Sequence, residues 1–203
     1  MNKSADLDKL RDWIGEKESE VDHITIPAVK RLAAMLDLKD AMAPKHGDVL
    51  PIGWYSVFFS RIAPQSEIGS DGHPKRGDFL PPVPLPRRMF GGRRLHFHSD
   101  LQVGDEVRRE ALIKDVTRKQ GRSGEMVFVT VKTSIYTPRA LAIETEQDIV
   151  YRQEPDKSAP PAPPKPAPGN AVWKRVITPD NVMLFRYSAL TYNGHRIHYD
   201  HPY

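Results

Sequence analysis

VGDEVRREALIKDVTRKQGRSGEMVFVTVKTSIYTPRALAIETEQDIVY, Val103 to Tyr151, is the stretch whose reading decides the fold. Val107, Ala111, Ile113 and Val116 alternate with charged residues, as do Val127, Val129 and Val131 and then the run from Ile143 to Tyr151. Successive side chains of a strand point to opposite faces, so a two-residue period buries one face and wets the other. Val103-Gly104-Asp105, Gly121-Arg122-Ser123-Gly124 and Thr137-Pro138-Arg139 interrupt the alternation with turn chemistry. The same period holds upstream from Met89 through Leu95 and Phe97, which predicts four long antiparallel strands in succession.

Working back toward the N-terminus, Gln65 to Pro86 contains GSDGHPKRGDFLPPVPLP, too rich in Gly and Pro for regular structure, and is expected to be a long ordered loop or flap. Before it, Ile52 to Ile62 carries Trp54, Tyr55, Val57, Phe58 and Phe59, a density expected of a buried central helix. Lys45 to Pro51 reads as a loop. Pro27 opens a helix with Val29, Leu32, Ala33 and Leu36 on one face, and Glu20 to Thr25 alternates as a strand. Asp6 to Ile14, with Leu7, Leu10, Trp13 and Ile14 at helical spacing, is expected to be a short helix packed as a lid. The sum is an α+β arrangement, one helix wrapped by a long antiparallel sheet.

Beyond the strands, Glu154 to Asn170 reads as a polyproline-type linker. Ala171 to Val176 is predicted as a strand, Thr178 as an N-cap before Pro179, and Val182 to Ser188 as a short helix. That order repeats the strand, proline and helix of Val21 to Leu36. The expected organisation is a domain over 1–153, a linker over 154–170 and the start of a second copy over 171–203.

Composition narrows the chemistry. Of 203 residues 39% are hydrophobic, enough for a sizeable core, and none is cysteine. Disulfides, a thiolate nucleophile and cysteine-ligated zinc are excluded. The charged N-terminus lacks the apolar core of a signal peptide and no run approaches a membrane span, so a soluble cytoplasmic protein is expected. The formal net charge of +4 suits an anionic, nucleotide-bearing ligand or none. Acidic residues are mixed in throughout, against nucleic-acid binding.

The chemistry concentrates in FRYSALTYNGHRIHYDHPY, Phe185 to Tyr203, where His195, His198 and His201 are interleaved with Asn193, Arg196 and Asp200. As metal ligands, histidines six apart converge poorly on a helix, and no metal or other cofactor is expected. PPVPLPRR has the form of an SH3 ligand but runs straight into a strand, so an ordered flap is the better reading.

Four blocks carry a resemblance: GHPKRGDFLPPVPLPRRMFGG (Gly72 to Gly92), LQVGDEV (Leu101 to Val107), DVTRKQGRSGEMVFVTV (Asp115 to Val131) and YSALTYNGHRIHYD (Tyr187 to Asp200). In that order they resemble the MaoC-like double hot-dog acyl-CoA hydratases and dehydratases, the group of the mesaconyl-C4-CoA and itaconyl-CoA hydratases and the mitochondrial 3-hydroxyacyl-thioester dehydratases. The resemblance implies a helix wrapped in a curved sheet, twice, with the first copy degenerate and the second bearing the hydratase motif. The second copy is expected to be cut short at Tyr203.

In the MaoC-type motif an aspartate is followed by an asparagine two residues on and a histidine five residues on. Aligned by the histidine, these fall on Asn193, His195 and His198, and Asn193 cannot accept a proton as an aspartate does. The activity implied is reversible hydration of a 2-enoyl-CoA, with His198 as base, Asn193 orienting water or thioester, and His195, Asp200 and Arg196 in support. Arg87, Arg88, Arg93 and Arg94 could meet coenzyme A phosphates, or be solvated strand charges. A homodimer or a complementary hot-dog chain is the implied partner. Two alternatives stand beside this: a non-catalytic thioester-binding or assembly subunit, and a hot-dog thioesterase.

Overall fold

A computed structural model describes residues 9–75, 79–121, 124–154, 164 and 166–202. Five strands form one antiparallel sheet: β1 (Lys17–His23), β2 (Arg87–Phe97), β3 (Glu106–Gly121), β4 (Gly124–Tyr136) and β5 (Leu141–Arg152), in the spatial order β1-β3-β4-β5-β2. Two ten-residue helices accompany it, α1 (Ile26–Met35) and α2 (Asn181–Leu190). The four predicted strands are present as β2 to β5. Alternation specifies them: Val107, Ala111 and Ile113 are buried on one face of β3, with half-buried Arg109 at the position between the first two. A bulge between Ile113 and Asp115 then adds one residue, which is why the next buried side chain is Val116. The bulge in β2 needs glycine, because a Cβ on Gly91 would lie 2.7 Å from Val150 Cγ2 and 2.9 Å from the Asp148 carbonyl oxygen.

Two apolar cores cover one face of the sheet. Around α1, Val29, Leu32 and Met35 pack with Val107, Ile135 and Ile143. The other core joins Leu10, Val83 and Leu85 to Ile113, Val129 and Tyr151. The apolar half of the flap therefore lies on the sheet as a cover, with Val83 and Leu85 almost wholly buried, and Leu10 closes the same core as the expected lid. The LQVGDEV turn joins the strands to the entry of α1. Asp105 accepts two hydrogen bonds from the Arg139 guanidinium at 2.7 Å each and one from the Gln102 N–H at 2.8 Å, while its carbonyl accepts the Ile24 N–H. Burial works to raise the Asp105 carboxyl, and the Arg139 and Gln102 hydrogen bonds outweigh it, holding the group below its ordinary range.

Four expectations are corrected. Ile52 to Ile62 is not a helix: only Trp54–Val57 form a 3₁₀ turn, and Ile52 and Ile62 are exposed. Gly53 at φ 88 and Phe59 at φ 57 break any helical course, and the Asp22 carboxylate takes the Phe59 N–H at 2.7 Å. The segment is a strap that presses Val57 and Phe58 into the core, and α1 is the helix the sheet wraps. Ala171 to Val176 forms no strand and leaves Val172, Trp173 and Val176 exposed. The cap of α2 is Asp180, whose Oδ1 accepts the Met183 N–H at 2.7 Å, in place of Thr178. Near the N-terminus Leu10–Trp13 make one 3₁₀ turn, and Asp6 and Leu7 lie outside the described residues. Most of the predicted linker, like Arg122 and Ser123 of the β3–β4 turn, also lies outside them. Among the described residues no helix is long and apolar enough to cross a membrane.

Candidate active site

The site is assembled where the end of α2 meets the polar half of the flap. α2 packs on α1, with Leu190 against the first core, so the residues after it are delivered to a fixed place. The helix stops through its own hydrogen bonds: the Asn193 N–H donates to the Ser188 carbonyl at 2.8 Å, and the Thr191 hydroxyl donates to the Tyr187 carbonyl at 2.9 Å. The Ser60 hydroxyl ties the strap to the Thr191 carbonyl at 3.2 Å. Asn193 Oδ1 then accepts the His195 N–H at 3.1 Å, which turns the chain into the short 3₁₀ segment Arg196–His198. Arg196 donates from Nε and Nη2 to Asp200 Oδ2, both at 2.8 Å.

The flap meets this turn through glycine. A Cβ on Gly72, which sits at φ 88, would lie 1.8 Å from the Gly194 carbonyl oxygen. No other residue permits the approach. The Arg196 N–H donates to the Asp71 carbonyl at 2.9 Å, and its Nη1 reaches the Ser70 carbonyl at 3.4 Å. Asp71 accepts the His73 N–H on Oδ1 and pairs with His73 Nδ1 through Oδ2, both at 3.0 Å. The His73 and His195 rings stack with centroids 3.7 Å apart and a tilt of 31°, and His198 stands edge-on to His195 at 5.3 Å. Beside this seam opens a cleft of about 670 Å³ whose walls include Arg61, His73, Arg88, Ser188, Asn193 and Arg196.

Electrostatics follow from the crowding. Burial lowers the His195 pKa below its ordinary value, and the neighbouring His73, His198 and Arg88 charges lower it further against the pull of Asp71, which favours the neutral ring. Burial works to raise the Asp71 carboxyl, but the side-chain and backbone hydrogen bonds from His73, with the charges of His73 and His195, hold it below its ordinary range.

Of the residues singled out in the sequence, Asn193, Arg196 and Arg88 line the cleft. His195 lies in the stack behind it, and His198 is exposed at the stack's edge. Asp200 is engaged by Arg196. The four arginines divide: Arg94 is held by Asp148 and Glu146, Arg93 by Gln147, Arg87 lies 3.9 Å from Glu154, and Arg88 alone of the four faces the cleft. Asp71 and His73 were missed, although the Asp-Gly-His sequence inside a Gly/Pro loop was the available signal.

Asp71, His73 and His195 each place one ligand atom within 4.8 Å of the others. Ligands on one zinc ion splay toward tetrahedral directions, whereas these two rings are stacked and His73 Nδ1 is taken by Asp71. The arrangement suits proton handling better than metal binding.

An antiparallel sheet packed on a helix, with this motif beside the cleft, is the arrangement expected of a hot-dog acyl-thioester hydratase or dehydratase. The family model for hydroxyacyl-thioester dehydratase type 2 matches residues 53–203. Mesaconyl-C(4)-CoA hydratase of Chloroflexus aurantiacus is 48% identical over 192 residues, 94% of this chain and 68% of that protein. The chain therefore belongs to the hydroxyacyl-thioester dehydratase type 2 family and is a lyase. The mitochondrial hydroxyacyl-thioester dehydratase type 2 of Schizosaccharomyces pombe is 26% identical over 174 residues, covering 74% of this chain and 57% of its own length. Among solved structures, a MaoC-like dehydratase aligns with a TM-score of 0.55 at 13% identity over 95% of this chain and 70% of its own. The ChsH1-ChsH2 complex from Mycobacterium tuberculosis aligns with a TM-score of 0.51 at 16% identity, over 83% of this chain and 98% of that one. These two share the fold.

Proposed function

We propose that the chain adds water reversibly across the C2=C3 bond of a 2-enoyl-CoA whose acyl group is of the mesaconyl or itaconyl kind. The observation that carries the reading is the convergence of Asn193, Arg196, Arg88 and the flap on one cleft. In the hydration direction His198 takes a proton from water as the oxygen bonds to C3. The double-bond electrons pass into the thioester as an enolate, and C2 then takes a proton. Asn193 Oδ1 is committed to the His195 N–H, which leaves its amide NH₂ to donate toward the thioester oxygen, where the enolate charge develops. Neutral His195 stands edge-on to His198 and adds no positive charge that would discourage the base. Arg196 and Asp200 hold the turn that carries both. Arg88, in the wall of the cleft, would meet a coenzyme A phosphate or the free carboxylate of a mesaconyl-type acyl group, and Arg87 and Arg93 on the same strand would be outer contacts.

The relative's name supports the acyl class, and the family supports a thioester. The resemblance supports pairing with a second hot-dog, another copy or a complementary chain, and the cysteine-free composition is consistent with a cytoplasmic setting. The test is loss of enoyl-thioester absorbance when the purified chain meets crotonyl-CoA or mesaconyl-CoA, beside His198→Ala. Turnover reduced at least about 100-fold by the substitution supports the reading, that being the lower range for a general base. Coenzyme A esters bound without turnover would favour a thioester-binding subunit, and release of free coenzyme A a thioesterase.

A further inference from the structure

Hydration needs two proton transfers, one from water and one to C2, and the motif supplies a single base at the edge of the stack. We infer that His73, oriented by Asp71, is the second proton-transfer group of this site, acting at C2 from the flap side of the cleft. This rests on the hydratase reading above and adds to it residues outside the motif.

Four observations carry it. His73 is, among the described residues, the one histidine in the wall of the cleft. Its Nδ1 lies 3.0 Å from Asp71 Oδ2. A carboxylate partner places the proton on Nδ1 and leaves Nε2 to exchange protons with a bound molecule, and it stabilises the imidazolium when both nitrogens are protonated. The dyad is fixed relative to the motif by the Gly72 to Gly194 approach, by the Arg196 N–H on the Asp71 carbonyl and by the His73 to His195 stack. Lastly, Asp71 brings a carboxylate from a distant part of the sequence to the seam where Asn193 stands.

The step balances. In hydration, His198 takes one proton of water as the oxygen bonds to C3, the C2=C3 pair becomes the enolate, and C2 takes the Nε2 proton of the His73 imidazolium. Solvent then returns a proton to His73 and removes one from His198. In dehydration His73 takes the C2 proton and His198 protonates the departing hydroxyl. The groups facing His73 are Asp71 and His195, with His198 beyond His195, and Arg61, Arg88 and Arg196 share the wall of the cleft with it. His73 is the catalytic residue and Asp71 its positioning residue.

Butanoyl-CoA separates the two protons, since it has an acidic C2 but neither a double bond nor a hydroxyl, and exchange of its C2 hydrogen with D₂O reads the C2 base alone. The experiment measures that exchange, crotonyl-CoA hydration and coenzyme A ester affinity for the full chain and for His73→Gln, His73→Asn, Asp71→Asn and His198→Ala, with a melting curve for each. We expect both His73 variants to lose exchange and hydration by about 100-fold or more, in the range of a removed general acid–base group, with affinity changed less than about threefold. Asp71→Asn should lower exchange by about tenfold or more and displace its pH profile, a readout that a merely structural carboxylate would not move. His198→Ala should lose hydration and keep exchange. Exchange surviving in folded His73→Gln or His73→Asn overturns the inference while wild-type hydration leaves the hydratase reading standing. A wild-type chain with neither exchange nor hydration overturns both.

Discussion

The sheet and the C-terminal arm, residues 171–202, are built on opposite principles. In the sheet, Ile113 and Val129 are wholly buried and Ile135 is 2% exposed, so burial of apolar area fixes the strands and their register. In the arm, Ser188 is the buried residue, and Trp173 and Phe185 are 77% and 63% exposed. The arm is held instead by the packing of α2 on α1, by the Ser60 to Thr191 hydrogen bond and by its seam with the flap, where glycine meets glycine and a ring stacks on a ring. Stability therefore resides in one region and the proposed catalytic geometry in the other. The sheet should tolerate little loss of volume yet leave chemistry unchanged, and the seam should show the reverse.

The largest expected effect comes from Gly72→Val. A side chain 1.8 Å from the Gly194 carbonyl oxygen forces flap and motif apart. A misplacement of about 1 Å in a catalytic constellation costs on the order of 100-fold, so hydration should fall by at least that much. The melting temperature, set by the sheet, should move by only a few degrees, as a mutation worth about 1 kcal/mol would move it. Equal losses of activity and stability would break the division between the two regions.

Ile113→Ala tests the other side. It empties a site at 0% exposure in the second core and should cost about 2–5 kcal/mol in urea unfolding, while turnover per folded molecule stays within about twofold.

Asp105→Asn has a smaller effect with a pH signature. The folded carboxyl is held below its unfolded value, so its contribution is fully present above about pH 5 and is lost as pH falls through the folded value. The wild type should lose about 1–3 kcal/mol more than the variant between about pH 5 and pH 2, since hydrogen bonds to a charged group are worth that much and Arg139 is half exposed. Parallel stability curves for the two would show that the turn does not rely on this ion pair.

The same division explains what could be read in advance. Strands β2 to β5 were legible because a two-faced sheet writes its period into the sequence, and even the step from Ile113 to Val116 records a bulge. Ile52 to Ile62 misled because apolar density reports burial without reporting helix, and Gly53 was the discordant residue. Ala171 to Val176 misled because strand-like composition does not supply a partner strand. In the site, Asn193, His195 and His198 were legible through the motif. Asp71 and His73 were not, because a Gly/Pro loop has no period and the meeting of position 72 with position 194 is a tertiary fact.

The most direct measurement is hydration of mesaconyl-CoA and crotonyl-CoA by the full chain, followed as loss of enoyl-thioester absorbance, for the wild type beside Asn193→Ala and His198→Ala. A shared site at the seam predicts wild-type turnover that falls at least about 100-fold in His198→Ala and about tenfold or more in Asn193→Ala, with melting temperatures unchanged. Wild-type turnover indifferent to both substitutions, or none with either ester, would contradict it.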